Sequence, residues 1–210
     1  MSTSFVFRIG ARVLPASLFA IVALLNLHTA ITADGSGTRI HQLLSAILWG
    51  MFAALVVVRP VPLRRGSNVS GILAALGAQA GVLVLGVVAG DSGSGLVLAV
   101  SNVVLAAGLV FAIASLAFLG RCFGVLPDVR GLVTRGPYRL VRHPLYLGEL
   151  TAVLGVAMGS DHWQFALPVW CLVVGLQLIR THYEERTLRA EFPEYEPYAQ
   201  RTKRLIPGLV

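Results

Sequence analysis

"LYLGELTAVLGVAM", Leu145 to Met158, decides how this chain is folded. It is apolar apart from Glu149 and Thr151, yet it falls short of the roughly 20 residues that carry a helix across a bilayer. By length alone it reads as a span, a tilted span or a re-entrant segment. The stretch before it, "RGPYRLVRHP" (Arg135–Pro144), gathers arginines, a histidine and two prolines where the chain is about to enter lipid.

Composition sets the frame. Of 210 residues, 56% are hydrophobic and 13% charged, against the roughly 25% charged residues of soluble domains. That balance predicts an integral membrane protein. Val13–Ala33, His41–Val58, Val69–Ala89, Leu96–Leu119 and Trp163–Ile179 each approach spanning length, so five spans are expected with Leu145–Met158 as a sixth. If all six cross, every one of the 17 basic residues except Arg39 lies on one face. That face holds Arg8 and Arg12, then Arg59, Arg64 and Arg65, then Arg121, Arg130, Arg135, Arg139 and Arg142, and the basic residues from Arg180 to Arg204. Cytoplasmic loops collect Lys and Arg, so six crossings, or a hairpin-like equivalent, with both termini cytoplasmic are expected. The fold class is an all-α, polytopic membrane bundle of five to six transmembrane helices with a cytosolic C-terminal helical tail. It forms a single membrane domain over 1–210, with four N-terminal spans in 1–120 and a functional C-terminal part in 121–210.

Several function classes drop out. The net charge of +7 suits anionic lipid headgroups and calls for no nucleic acid. Cys122 and Cys171 are too few and too far apart for a disulfide framework, and no metal site is expected; Cys171 reads as a small core residue and Cys122 as a free thiol. Gly90, Gly93 and Gly95 have no strand before them, so they do not form a phosphate loop. Gly77 and Gly81 form a GxxxG pair suited to close helix packing. Asn26 and His28, polar at membrane depth, read as interhelical hydrogen-bonding groups.

Two polar constellations remain. Pro144 fits the first turn of a helix, whose free N–H groups attract anions, an attraction that Arg139, Arg142 and His143 reinforce. Glu149, just over one turn inside, needs a partner at that depth. An anion-binding end beside a buried carboxylate suits a zwitterionic ligand. The second constellation follows the last span, "IRTHYEERTLRAEFPEYEPYAQRTKRLIP" (Ile179–Pro207). Arg180 with Glu184, His182 with Arg186, and Glu185 with Arg189 are spaced i,i+4, the pattern of a solvated helix. Pro193 and Pro197 read as helix breaks, after which Tyr195, Tyr198 and Leu205 fold the tail back over the membrane surface.

At these residues the chain resembles the integral-membrane methyltransferases typified by isoprenylcysteine carboxyl methyltransferase, with phospholipid N-methyltransferases as relatives. The resemblance rests on "GPYRLVRHPLYLG" (Gly136–Gly148), the pair Glu184 and Glu185, and the tail ending in "RTKRLIP". It covers roughly the last 80 residues. It implies S-adenosylmethionine bound at the cytosolic face under the tail, held by His143, Tyr146, Glu184, Glu185 and Arg204, with Gly136, Tyr138 and Leu147 in the adjoining segment. Arg142 is the implied anchor of a substrate carboxylate, and Glu149 or His143 the proton acceptor where the nucleophile is an amine. The acceptor would be a lipophilic small molecule or lipid entering from the bilayer.

Two other readings stand beside it. An NADPH-dependent membrane reductase of the sterol-reductase type shares the multi-span layout and an RHPxYxGE-like stretch, and the basic cluster would suit a dinucleotide phosphate. A small transporter would instead distribute charges along its spans, whereas Glu149 is the one charge within the apolar runs.

Overall fold

The computed structural model describes residues 3–58, 69–88, 93, 95–120 and 131–206. Arg59, Arg64, Arg65, Gly90, Arg121, Cys122, Arg130 and Pro207 lie outside the described residues, as do the side chains of Arg8 and Arg12. Among the described residues, seven α-helices follow one another: α1 Thr3–Thr32, α2 Ser36–Val58, α3 Val69–Val88, α4 Gly95–Leu119, α5 Pro144–Met158, α6 Trp163–Glu191 and α7 Tyr195–Arg201. A 3-10 turn, Gly136–Arg139, precedes α5. Within α1, α2, α3, α4 and α6, five stretches are long and apolar enough to cross a membrane. Outward-facing residues such as Leu24, Val103 and Val110 are well exposed, as expected where lipid is the solvent.

α5 is the short segment that composition left open. Its 15 residues rise about 22 Å, less than the roughly 30 Å of a hydrocarbon core. It nevertheless travels the bundle beside α4. Gly148 lies against Ala112, Ala152 against Gly108, Gly155 against Leu105, and Gly159 against Ser101. Each step of three or four residues along α5 is matched by an equal step back along α4, which fixes the pair as antiparallel. A Cβ on Gly148 would sit 2.5 Å from the Ala112 nitrogen, and one on Gly155 2.5 Å from that of Leu105. The two backbones therefore touch, the arrangement by which small residues bring membrane helices together through dispersion alone. Eleven of the 15 residues of α5 are buried, from Pro144 and Tyr146 to Val156 and Ala157, and the half-buried Leu147, Thr151, Leu154 and Met158 recur at helical spacing as one partly exposed stripe. A helix covered by protein over most of its surface need not present a full spanning length to lipid.

The expected Gly77–Gly81 pair packs on the other long contact: Gly77 faces Leu176 and Gly81 faces Val173, joining α3 to α6. At the end of the bundle where α5 finishes, the Gly93 N–H donates to the Gly159 carbonyl at 2.8 Å. Three sequence readings are corrected here. Cys171 is exposed on the outside of α6 rather than in the core. Asn26 donates to Val22 O of its own helix at 2.8 Å, and His28 is exposed, so neither bridges helices. Pro197 lies in the first turn of α7, where a missing N–H is tolerated, and does not break it.

Candidate functional site

The chain between α4 and α5 turns on Gly136, whose φ of +62° and tight approach to the Phe118 ring both exclude a side chain. The 3-10 turn follows, and its last residues run out as the short segment 141–143. Here the tail returns. Val141 pairs with Lys203 in a parallel bridge; Arg142 N–H donates to Lys203 O at 2.7 Å, and His143 N–H to Arg204 O at 3.0 Å. Backbone donors just ahead of α5 are thereby satisfied by carbonyls from the far end of the sequence.

Side chains close the same junction around Glu185, which is wholly buried. Its Oε1 accepts from Arg142 Nε at 2.8 Å and Arg204 Nε at 3.2 Å, and lies 3.3 Å from His143 Nε2. Its Oε2 accepts from another Arg204 nitrogen at 3.2 Å, with Arg189 at 3.7 Å. Arg142 also donates to Ala199 O at 2.8 Å and to Thr202 O. One carboxylate on α6 thus ties together the start of α5 and the tail. A buried carboxylate is tolerable because so many donors surround it. Leu205 joins the hydrophobic core, Tyr195 is buried against the Tyr198 ring and beneath the Arg189 guanidinium, and Tyr198 Oη donates to Tyr138 O at 2.7 Å. The tail folds back as its aromatic residues suggested.

A second layer lies one turn deeper. Tyr146 Oη donates to Glu184 Oε2 at 2.8 Å. The His143 and Tyr146 rings stack at 5.4 Å with 7° between planes, and the Arg180 guanidinium sits 4.4 Å above the Tyr146 ring. Glu149, 8% exposed, lines a narrow cavity with Tyr146, Arg180, Gln79 and Phe52. Arg180 is the cation that shares this cavity with Glu149. Beside the tail, Arg139, Glu194, Tyr198 and Arg201 border a larger cavity of about 590 Å³.

The structure therefore gathers Arg142, His143, Glu185 and Arg204 into one cluster, and Tyr146, Glu184 and Glu149 into the layer beneath it. It does not bring Gly136 or the Tyr138 side chain into either: Gly136 backs onto Phe118, and Tyr138 offers its carbonyl to the tail. Leu147 is half-buried at the edge of the core, its N–H bonded to His143 O at 3.1 Å. Arg180 was missed. Its i,i+4 spacing to Glu184 read as a solvated pair, but it is 2% exposed, and Glu185 is buried as well. The available signal was position, since Arg180 directly follows the apolar run ending at Ile179. Among the described residues, no group of three His, Cys, Asp or Glu side chains could hold a metal ion.

Comparison with known proteins meets this geometry. Residues 93–194, which contain α4, α5 and α6, match the phospholipid methyltransferase family. The cobalt-zinc-cadmium resistance protein CzcN of Cupriavidus metallidurans is 41% identical over 81 residues, 37% of this chain and 36% of that protein. The nickel-cobalt-cadmium resistance protein NccN of Alcaligenes xylosoxydans xylosoxydans is 35% identical over 81 residues, 37% of each. Methanethiol S-methyltransferase 2 of Bradyrhizobium diazoefficiens is 38% identical over 86 residues, 39% of this chain and 32% of the enzyme. The matched stretch spans about a third of the length of these curated relatives.

Proposed function

We propose that this chain, whose residues 93–194 match the phospholipid methyltransferase family, transfers a methyl group from S-adenosylmethionine to a lipophilic acceptor. The reaction would take place at the arginine-rich end of the bundle. The observation that carries this reading is the clamp around Glu185, which ties the tail to the start of α5 directly above the Tyr146–Glu184 layer. Gathering of Arg135, Arg139, Arg142, Arg189, Arg201 and Arg204 at that end supports a cytoplasmic placement, with both termini on the same side.

The residues fit the donor's chemistry. Its ammonium and ribose hydroxyls call for an acceptor, which Glu184 supplies: it is half-buried, with Oε2 engaged by Tyr146. Its carboxylate calls for a cation, which half-buried Arg204 supplies. When bound, the donor brings a methyl already activated by its sulfonium. The protein's own task is alignment and exclusion of water, and positioning of this kind contributes about 7–11 kcal/mol at most. Glu185, wholly enclosed, acts by holding Arg142, His143 and Arg204 in place. His143 and Tyr146, stacked, form a wall between the clamp and the deeper layer.

The space beside Glu149 and Arg180 is about 10 Å³, room for about one water, so an acceptor's reactive end would reach these residues only as Phe52, Leu55 and Val56 part to admit its apolar portion. A carboxylate acceptor, the preferred class, needs no base and would pair with Arg180 or Arg142. An amine, as in phospholipid methylation, or a thiol, as the name of the Bradyrhizobium enzyme indicates for that protein, would pass its proton to Glu149.

Calorimetric titration of the purified protein with S-adenosylmethionine, its demethylated product and NADPH tests the donor. Binding of the first two, weakened in Glu184→Gln, supports the reading. Binding of NADPH instead replaces it with the reductase, and binding of none reduces the clamp to a structural lock. Transfer of labelled methyl to lipophilic acids, amines or thiols then separates the acceptor classes.

A further inference from the structure

At the end of the bundle opposite the clamp lies a second polar space. The cavity has a volume of about 350 Å³, within the range of small-molecule sites. It lies between the last turns of α1, the first half of α2 and the ends of α3 and α5. α5 alone puts about 22 Å between this end and the clamp. Nothing in the methyl-transfer reading uses it.

Its wall is built and poised for hydrogen bonding. Asn102 Nδ2 donates to Gly37 O at 3.0 Å, which turns Asn102 Oδ1 toward His41 Nδ1 at 2.8 Å. His41 Nδ1 is therefore the protonated nitrogen, and in the neutral ring Nε2 is left as an acceptor. The ring is wedged against Gly159 so closely that no Cβ could be placed there. Asn26, its amide nitrogen committed to Val22 O, keeps its amide oxygen as an acceptor. Deeper in, Ser45 is 1% exposed and Trp49 wholly buried; both line the cavity, and neither Ser45 Oγ nor Trp49 Nε1 has a hydrogen-bond partner. Leaving a buried polar group unmatched costs about 1–3 kcal/mol, so a donor pair beside open space is a standing demand for a ligand. Trp49 stands 6.0 Å from Phe52, which lines the Glu149 cavity, so this aromatic pair separates the two spaces.

The ligand's class follows from the lining. Among the described residues, no Asp, Glu, Lys or Arg borders the cavity, which disfavours an ion. Leu25 and Val87 on its rim are 60% and 68% exposed on the lipid-facing surface, so entry is sideways from the bilayer. We propose that this cavity binds the hydroxyl end of a neutral lipophilic alcohol, which accepts from Trp49 Nε1 and Ser45 and donates to an acceptor on the wall.

The probe is a long-chain alcohol brominated near its hydroxyl end, titrated into the full-length protein in nanodiscs while tryptophan fluorescence is followed. Bromine close to Trp49 quenches it, and Trp49→Phe supplies the background from Trp163 and Trp170. Saturable quenching that Trp49→Phe abolishes is expected, with affinity falling about fivefold in Ser45→Ala, the loss of one hydrogen bond. The matched bromoalkane without a hydroxyl should quench only in proportion to its concentration in the lipid. Equal quenching by alcohol and alkane, or an affinity unchanged in Ser45→Ala, overturns the proposal and leaves a cavity holding water or lipid chain. The readout is binding, so it stands or falls apart from methyl transfer.

Discussion

Arg142 and Glu185, separated by 43 positions in the chain, meet at 2.8 Å, and through that contact the start of α5, the end of α6 and the C-terminal tail become one junction. Glu185 has no exposure to water and Arg142 very little. The pair is thus the kind in which removing one partner strands the other's charge.

Glu185→Ala should therefore be severe. It leaves Arg142, His143 and Arg204 without their shared acceptor, and breaking a buried pair costs about 3–5 kcal/mol. The half-buried state of Arg204 places the expected loss near the lower end, about 3 kcal/mol. Thermal unfolding measures the loss. Limited trypsin digestion should cut after Arg201 or Lys203 far sooner than in the parent protein; an unchanged digestion pattern would show that the tail is held by other means.

Tyr146→Phe separates ligand binding from folding. The ring that stacks on His143 and lies under Arg180 is retained, while the hydrogen bond to Glu184 is lost. Unfolding should shift by no more than about 1 kcal/mol, and the dissociation constant for S-adenosylmethionine should rise about five- to tenfold as Glu184 loses its orientation. Calorimetry on the variant checks both figures.

Glycines at the α4–α5 contact should resist change where others do not. Gly148→Ala forces a Cβ into the Ala112 backbone and should cost about 1–3 kcal/mol, and Gly148→Leu should prevent assembly. Gly50→Ala and Gly175→Ala meet open space and should be neutral or stabilising by up to about 1 kcal/mol. Yield and melting temperature in detergent distinguish the two groups.

Tyr198 gives the tail an alkaline limit. Burial, the largest influence, pushes its phenol up to about 12 from an ordinary value near 10. The folded state thus favours the neutral phenol. The stability this contributes is complete below about pH 10 and is lost as the pH climbs through about 12. Tyr198→Phe removes the bond to Tyr138 O, costing about 1 kcal/mol at neutral pH, and should flatten the stability profile between those values. Proteolysis of the tail across that pH range provides the test.

Much of the molecule was legible beforehand because the bilayer imposes a simple rule. Runs such as Gly95–Leu119 declare themselves as spans by composition, and the distribution of arginines placed residues 135–143 and the tail on one face. The ion pairs between Arg142 and Glu185 and between Arg204 and Glu185 require that same arrangement. The motif around Arg142–Glu149 likewise marked side chains that the structure gathers at the clamp and in the layer beneath it. Harder were residues whose environment comes from distant segments. Cys171 sits in an apolar run like any core residue, yet it lies on the face that α6 leaves uncovered. Arg180 carries the spacing of a surface charge, yet the Tyr146 ring covers it.

The amino-acid sequence by itself determined the apolar helices and the end of the bundle at which charge collects, because each follows from local composition and the thickness of a bilayer. The tertiary structure alone decided that short α5 packs backbone to backbone along α4, that Glu185 is a lock rather than a solvated charge, and that Ser45 and Trp49 face a second cavity. Those outcomes depend on which backbones can approach, and Gly108, Gly148 and Gly155 permit the close contact of α4 with α5 that a side chain at any of them would block.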